Sequence, residues 1–419
     1  MKRNYYLVVL VFVTFFVMSL VTNILGALIP DIRTSFALSL TLAAFLPFAF
    51  FIAYGFMSIP SGLLIETYGE KKVMLGGFLV SLSGSLLFAL FPTYIMAVAA
   101  LFIIGTGIAV LQVAVNPLLR TAGGEEHFAF NSVLAQLFFG GASFLSPQLY
   151  SYLVLNLGAG ETDRNLLLAV LSRLIPEELP WISLYWIFGV ALALMVLIVA
   201  VSRFPKVKLA EDERMGGLDT FRYLLKSRIV WLYSIGIFCY VGSEQGTANW
   251  ISQFLATYHG YDPQTVGANT VSMFWGLMVV GCILGMILLK ILDSRHVLIG
   301  FTSAAILSLT VALLGSGSVA TVAFPLVGFF ASVMWSVIFS LALNSVEEHH
   351  GSFSGILCTA IIGGAIVPVI VGTIGDAAGL KVGMMFLYVT FGYVLSIGFW
   401  ARPLITNKTI SFRKSDQTG

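Results

Sequence analysis

The feature that most constrains this chain is a series of twelve long apolar stretches separated by short polar connections. A bilayer core about 30 Å thick is crossed by a helix of about 20 apolar residues. Each stretch reaches that length, and the alternation expected of membrane barrel strands is absent. The predicted spans are 5–29, 41–65, 73–92, 94–119, 128–155, 180–202, 229–258, 265–290, 297–316, 319–346, 352–374 and 382–401. We therefore predict an all-α membrane protein with twelve transmembrane helices.

Composition excludes a soluble fold of this size. Of the 419 residues, 58% are hydrophobic and 10% are charged, whereas ordinary soluble domains carry about 25% charged residues. A soluble domain has too little interior to hide so much apolar surface, so the lipid bilayer must solvate much of it. The net charge of +2 does not indicate a nucleic-acid partner.

Lysine and arginine are distributed unevenly between the two sides, which predicts the orientation. With the N-terminus in the cytoplasm, 18 of the 22 basic residues fall on the cytoplasmic side and 4 fall outside. The outer four are Arg33, Arg164, Arg173 and Lys381. This split predicts a multi-pass protein of a bacterial-type cytoplasmic (inner) membrane, with both termini cytoplasmic. The apolar run after Met1-Lys2-Arg3 is too long for a signal peptide, so we interpret it as an uncleaved first helix.

Short internal repeats indicate two similar halves. Glu125-Glu126-His127 follows the fourth stretch, and Glu347-Glu348-His349 follows the tenth, 222 positions later. Two parallel six-helix repeats place a solute site at the membrane midplane, between the halves. The predicted divisions are an N-terminal bundle at 1–202, a cytoplasmic linker at 203–228, a C-terminal bundle at 229–403 and a cytoplasmic tail at 404–419.

Glu244 is the one acid near the middle of a predicted span. It stands in the run Tyr240-Val-Gly-Ser-Glu244-Gln245-Gly-Thr-Ala-Asn249 of the seventh stretch. A charge at that depth is costly, so Glu244 is a functional candidate by default. It would act as a proton carrier, a sodium ligand or an acceptor for solute hydroxyls. The alternative is a structural carboxyl paired with polar groups on a neighbouring helix.

Amide and aromatic side chains complete the candidate site. Asn23 lies near the position equivalent to Glu244 in the first half, and Gln112 and Asn116 share one face of the fourth helix. Amides offer donors and acceptors, as polyol recognition needs, and tryptophan rings pack on the C–H faces of sugars. The predicted substrate-binding residues are Asn23, Gln112, Asn116, Gln136, Glu244, Gln245, Asn249, Trp275 and Trp335. The alternative for each is interhelical hydrogen bonding or packing.

The loop after the second stretch predicts a gate. It reads Gly62-Leu-Leu-Ile-Glu66-Thr-Tyr-Gly69-Glu-Lys71-Lys72. An acid at a helix end, a glycine turn and a basic pair can bridge helices in one conformation and separate in another. The predicted gating residues are Gly62, Glu66, Gly69, Lys71, Lys72 and Arg120.

The sequence contains no enzyme or metal-site signature. It has no GxxxxGK[ST] phosphate loop, no HExxH and no GxSxG. The three cysteines, Cys239, Cys282 and Cys358, lie in apolar stretches without paired spacing, which indicates packing residues. We predict that the chain is not an enzyme and needs no cofactor besides a coupling ion.

Several runs resemble known families. The 62–72 run resembles the major-facilitator loop signature G-x-x-x-D-[RK]-x-G-[RK]-[RK], with Glu66 in the place of the acid. The run at 111–117, Leu-Gln-Val-Ala-Val-Asn-Pro, resembles the L-[EQ]-x-A-x-N-P run of the fucose permease family. The run at 240–244 is similar to the Y-V-G-x-E run of its glucose/galactose members, and 359–379 resembles the family's eleventh helix. The resemblance covers both halves.

This resemblance implies a major facilitator fold of two pseudo-symmetric six-helix bundles. It also implies a small polar solute, a monosaccharide, carried by cation-coupled symport in a monomer. The fucose-proton members carry acids where this chain has Gln112 and, in the first helix, Leu25-Gly26. Their proton relay therefore cannot be transferred, and Glu244 is the expected coupling site for H+ or Na+. Two other classes stay open: an exporter of an amphipathic or drug-like metabolite, and a non-transporting membrane sensor.

Overall fold

The computed structural model describes residues 4–124, 128–158, 165–204 and 218–404, which are almost entirely helical. The first half contains α1 Tyr5–Thr22, α2 Leu25–Ser35, α3 Leu40–Tyr68, α4 Glu70–Leu90, α5 Tyr94–Gly123, α6 Phe128–Gly158, α7 Leu166–Leu174 and α8 Ser183–Val201. A short helix, α9 Leu218–Leu225, precedes the second half. The second half contains α10 Arg228–Ala248, α11 Ile251–His259, α12 Ala268–Leu289, α13 Ser294–Leu314, α14 Gly317–Ala331, α15 Met334–Leu343, α16 His350–Thr359, α17 Gly363–Ala378, α18 Leu380–Met385 and α19 Leu387–Trp400.

These helices form twelve rods that correspond to the twelve predicted spans. Consecutive pairs build five of the rods: α1 with α2, α10 with α11, α14 with α15, α16 with α17, and α18 with α19. Within the described ranges, ten helices are long and apolar enough to cross a membrane, or eleven with the bent pair Asp219–Leu225 and Arg228–Ala248. The remaining rod, α6, has the required length but carries more polar side chains, Gln136 and Ser143 among them. The all-α fold of twelve spans is confirmed.

The apolar side chains form two cores, one in each half. Phe15, Phe78 and Phe188 are among the buried rings of the first core, and Phe274 and Phe391 belong to the second. The halves meet along two seams, where α3 packs against α17 and α6 packs against α12. The predicted domain boundaries stay predictions, because 205–217 of the linker and 405–419 of the tail lie outside the described residues.

Side-chain caps and glycines set the ends of the helices that matter for the site. Ser39 Oγ accepts a hydrogen bond from Leu42 N at 3.2 Å and starts α3. α3 ends at Gly69 with φ 79°, and α17 ends at Gly379 with φ 92°. Glycine adopts this left-handed region at little cost, so each helix reverses directly into the next. We call the end that holds the N-terminus of α3 the outer face, following the predicted orientation.

Candidate functional site

Of the five rods built from two helices, two are broken at corresponding places in the two halves. Asn23 and Ile24 separate α1 from α2, and Asn249 and Trp250 separate α10 from α11. At membrane depth, irregular backbone is tolerated only where protein buries it or where it lines a cavity. Broken helices in equivalent repeats mark solute and ion sites in secondary transporters. The two breaks therefore locate the candidate site in the middle of the chain's two bundles.

Glu244 lies in the last turns of α10, one turn before the break. It is half-buried, whereas Ser243 and Gln245 on either side are buried. The Tyr240 hydroxyl donates to Glu244 Oε2, and Gln245 Nε2 donates to Oε1 at 3.2 Å. Asn249 Nδ2 extends this chain of donors to Gln245 Oε1 at 3.5 Å. Hydrogen bonds offset the cost of placing a carboxyl at this depth, while its partial exposure leaves it open to a ligand.

On the α15 side, Trp335 packs near Tyr240, the residue whose hydroxyl donates to Glu244. Trp335 is half-buried, with its ring centroid 6.3 Å from that of Tyr240 and 5.7 Å from that of Phe339. Trp275 on α12 is 4% exposed and meets Phe274 edge-on at 5.1 Å. Its indole N–H is buried and has no hydrogen-bond partner among the described residues. Trp335 thus has a partly exposed ring one residue removed from the acid, next to its donor Tyr240, while the indole N–H of Trp275 is buried.

Three predicted substrate-binding residues of the first half, Asn23, Gln112 and Gln136, differ in burial and in hydrogen bonding. Asn23 is 5% exposed, and its Nδ2 donates to Ser143 Oγ at 2.8 Å. Ser143 Oγ also lies 2.6 Å from Ser19 Oγ, so Asn23 takes part in a hydrogen-bonded contact between α1 and α6. Gln112 on α5 is half-buried and Gln136 on α6 is exposed. Neither amide bonds to another residue of the described ranges, so neither is committed to a contact between helices there.

The predicted gate residues lie around the turn between α3 and α4. Gly69 forms the turn, and Lys71 Nζ donates to the carbonyl oxygens of Ala200 and Ser202, both at 2.8 Å. These carbonyls end α8, where a cation is favourable. Lys71 therefore ties α4 to α8 within the first half, and Lys72 is exposed.

The remaining predicted residues are placed only in part. Gly62 lies within α3, and Arg120 lies in the last turn of α5. Glu66 and Asn116 belong to α3 and α5, but their side chains lie outside the described part of the chain, as does the run 125–127.

A second polar cluster joins the two halves at the outer face. Asp31 of α2 accepts from the Tyr150 hydroxyl at 2.7 Å and from Gln264 Nε2 at 3.2 Å. Gln148 Nε2 on α6 donates to Asn269 Oδ1 on α12 at 3.0 Å. Gln264 and Asn269 belong to the second half, whereas the other three residues belong to the first. These bonds close the outer face in this structure.

Tyr240, which donates to Glu244, and Asp31, which joins the halves, were not among the predicted site residues. Tyr240 precedes Glu244 by four positions, and a pair at that spacing shares one helix face, so its contact was detectable from the sequence. Asp31 had no such signal, because the first span was expected to end at residue 29 and the partners of Asp31 are distant in sequence. No group of three metal-ligating side chains occurs within the described ranges.

Whole-chain comparison identifies the architecture. The sequence profile of the Major Facilitator Superfamily matches residues 11–368. The chain belongs to this family. A solved structure of the fucose:proton symporter of Escherichia coli superposes with a TM-score of 0.66, covering 94% of this chain and 98% of that one at 23% identity. That likeness shows the major facilitator fold, as predicted.

Two curated relatives of the Major Facilitator Superfamily extend over nearly the whole chain. The glucose/galactose transporter of Brucella abortus is 30% identical over 92% of this chain and 91% of its own length. A putative glucose/galactose transporter of Helicobacter pylori is 32% identical over 86% of this chain and 87% of its own. These relatives are transporters, which confirms the prediction that the chain is not an enzyme, and the chain is a multi-span membrane protein.

Proposed function

We propose that this chain is a secondary active transporter that carries a monosaccharide together with H+ or Na+ by alternating access. The observation that carries the proposal is the 30% identity to a glucose/galactose transporter over 92% of the chain. Glu244 with its donors beside the break of the seventh rod supports the same assignment. We further propose a bacterial-type cytoplasmic membrane, cytoplasmic termini and a functional monomer.

The site has the chemical groups that a sugar needs. Gln112 and Gln136 offer unpaired amides from the first half, while Gln245 and Asn249 lie beside the acid in the second half. Hydroxyl groups of a sugar accept from amides and donate to carboxylates. The half-buried face of Trp335 provides the apolar surface that the C–H side of a pyranose covers.

Glu244 is the proposed coupling residue. As a proton carrier it would alternate between a charged carboxylate held by Tyr240 and a neutral acid that crosses with the solute. As a sodium ligand it would supply one of several oxygen atoms. In either case the bound cation neutralises the acid, which lowers the cost of closing the site around it.

The proposal is tested with purified protein in proteoliposomes. Labelled monosaccharides are offered in turn under an imposed proton gradient without sodium, and under a sodium gradient at equal pH. Accumulation of one sugar under one gradient identifies solute and ion together. Folded protein that shows no sugar flux or counterflow under either gradient would contradict the proposal and favour export of an amphipathic metabolite. Binding of a sugar without flux would instead favour a sensor.

A further inference from the structure

Asp376 joins the two halves at the outer face. It lies two residues before the last residue of α17, Ala378. Its carboxylate accepts three hydrogen bonds from the start of α3. Leu40 N donates to Oδ1 at 2.8 Å, Thr41 N donates to Oδ2 at 2.8 Å, and Thr41 Oγ1 donates to Oδ2 at 2.6 Å. The first amides of a helix have no partner within it and carry partial positive charge. Asp376 thus caps a helix that belongs to the other half.

Glycines of α17 allow this close approach. A Cβ atom at Gly372 would lie 2.8 Å from the Leu40 carbonyl oxygen, and one at Gly375 would lie 2.9 Å from Leu40 Cδ1. The N-terminus of α3 therefore sits directly on the backbone of α17. The same part of α17 places Asp376 beside the N-terminus of α3.

The segment that carries Asp376 has a counterpart elsewhere in the chain. In 372–379 a glycine is followed by an acid after four positions and by a second glycine three positions later. The segment 62–69, at the end of α3, has the same spacing. Both segments end in a glycine of positive φ, Gly69 and Gly379. The turn with its acid is therefore a recurrent unit of the fold.

We propose that Asp376 and the N-terminus of α3 form an outer latch, which holds the outer face closed and separates when that face opens. The inference rests on the alternating access of the proposed function. α3 and α17 belong to opposite halves, so movement of the halves apart at the outer face breaks all three hydrogen bonds together. The Leu40 and Thr41 amides lose their acceptor at the same step, although Ser39 still accepts from Leu42 N, and this loss adds to the free energy of opening.

The size of the effect follows from helix capping. Asp376 is exposed, so water replaces its partners when the latch opens and only the net value of a cap is lost. Removing an N-cap changes an equilibrium by about 2-fold to 30-fold. Removing the latch should raise the ratio of outer-open to outer-closed molecules by that factor.

The test measures the opening directly. Spin labels are attached at Phe91 and Ser316, which are exposed on the outer face of the first and second half respectively. The native cysteines Cys239, Cys282 and Cys358 are replaced by alanine. Pulsed dipolar spectroscopy then gives the populations of short and long distances in the detergent-purified chain. The readout needs no sugar, so it is independent of whether the proposed solute is correct.

Two substitutions weaken the latch and a third is the matched control. Asp376→Asn removes the charge and Thr41→Val removes one donor, and both should increase the long-distance population. Thr93→Ala removes an N-cap on the same face, because Thr93 Oγ1 accepts from Met96 N inside the first half. It should leave the short-distance and long-distance populations unchanged. Unchanged distances in folded Asp376→Asn and Thr41→Val, or an equal shift in Thr93→Ala, would overturn the proposal. Thermal unfolding shows that each variant is folded.

Discussion

Gly26 of α2 packs against the main chain of Ala248 at the end of α10. A Cβ atom at position 26 would lie 2.2 Å from the Ala248 carbonyl oxygen and 3.3 Å from Asn249 Cα. The contact connects the two breaks across the halves, so no side chain fits at position 26 while the outer face is closed.

Replacing Gly26 with alanine should therefore keep the outer face from closing. Overpacking of this kind costs about 1–3 kcal/mol, so we expect a strong loss of uptake and a lower unfolding temperature. Gly76→Ala in α4 is the control, because a Cβ there has no neighbour within 4 Å. Normal uptake by Gly26→Ala would show that the two breaks do not need to touch.

Glu244→Gln should abolish uphill accumulation and keep part of the solute exchange. Glutamine retains the shape and accepts from Tyr240, but it cannot carry a proton and binds a cation less well. The accumulated sugar should fall to about the external concentration, while counterflow continues. Both are measured in the same proteoliposomes. If the variant still accumulates sugar against its gradient, Glu244 is not the coupling residue.

Tyr240→Phe should reduce transport while leaving the ring contact with Trp335 in place. The hydroxyl is the donor to Glu244 Oε2, and a hydrogen bond to a charged group contributes about 1.5–3 kcal/mol. We expect uptake to fall about 10-fold to 100-fold. Tyr233→Phe is the matched control on the same helix, because its hydroxyl pairs with Ser345 at 3.1 Å, away from the acid. Equal losses in both variants would point to general damage to α10.

Trp335→Phe should weaken solute binding and remove the fluorescence change that sugar causes. A sugar that stacks on the Trp335 ring excludes water from it, so its emission should respond to binding. The control is Trp231→Phe, since Trp231 is 53% exposed on the side of α10 and its indole N–H donates to Leu225 O. A signal that persists in Trp335→Phe but disappears in Trp231→Phe would reverse the assignment.

Lys71→Ala should lower the unfolding temperature and leave the choice of transported solute unchanged. Its two hydrogen bonds to the end of α8 lie within the first half, and a cation at a helix C-terminus contributes about 1 kcal/mol or less. Lys72→Ala, at an exposed neighbour, should have a smaller effect on the unfolding temperature. An altered balance of open and closed states in Lys71→Ala, without loss of stability, would support the predicted gating role.

The spans were predictable because about 20 consecutive apolar residues have few alternatives to a membrane helix. The breaks between α1 and α2 and between α10 and α11 were not predictable. In the sequence, Asn23 and Asn249 each look like one polar residue in an apolar run. The first span was wrong at its end: α2 continues to Ser35 past Pro30 and Asp31. A hydropathy window counts the charge of Asp31 against a membrane span. It does not include Tyr150 and Gln264, which are distant in sequence and donate hydrogen bonds to that carboxylate.

The site was predictable where the partners share one helix. Glu244, Gln245 and Asn249 follow from one run of α10, and their chain of hydrogen bonds is local. Asn23 was predicted to face the solute, yet in this state it bonds to Ser143 on α6. Whether an amide lines a cavity or joins two helices depends on rotation and packing, which one sequence does not specify.

Gly69 and Gly379 end α3 and α17 in the same backbone conformation at opposite faces of the membrane, and α3 and α17 pack against each other along one seam. At the outer end of that seam Asp376 reaches across to the other half, whereas at the inner end Lys71, two residues after Gly69, bonds to α8 of its own half. The bonds of Asp376 would therefore shift the balance between the two facing states, and with it the speed of each half of the cycle. The relative steepness of the solute and ion gradients would still decide whether such a carrier fills or empties the cell.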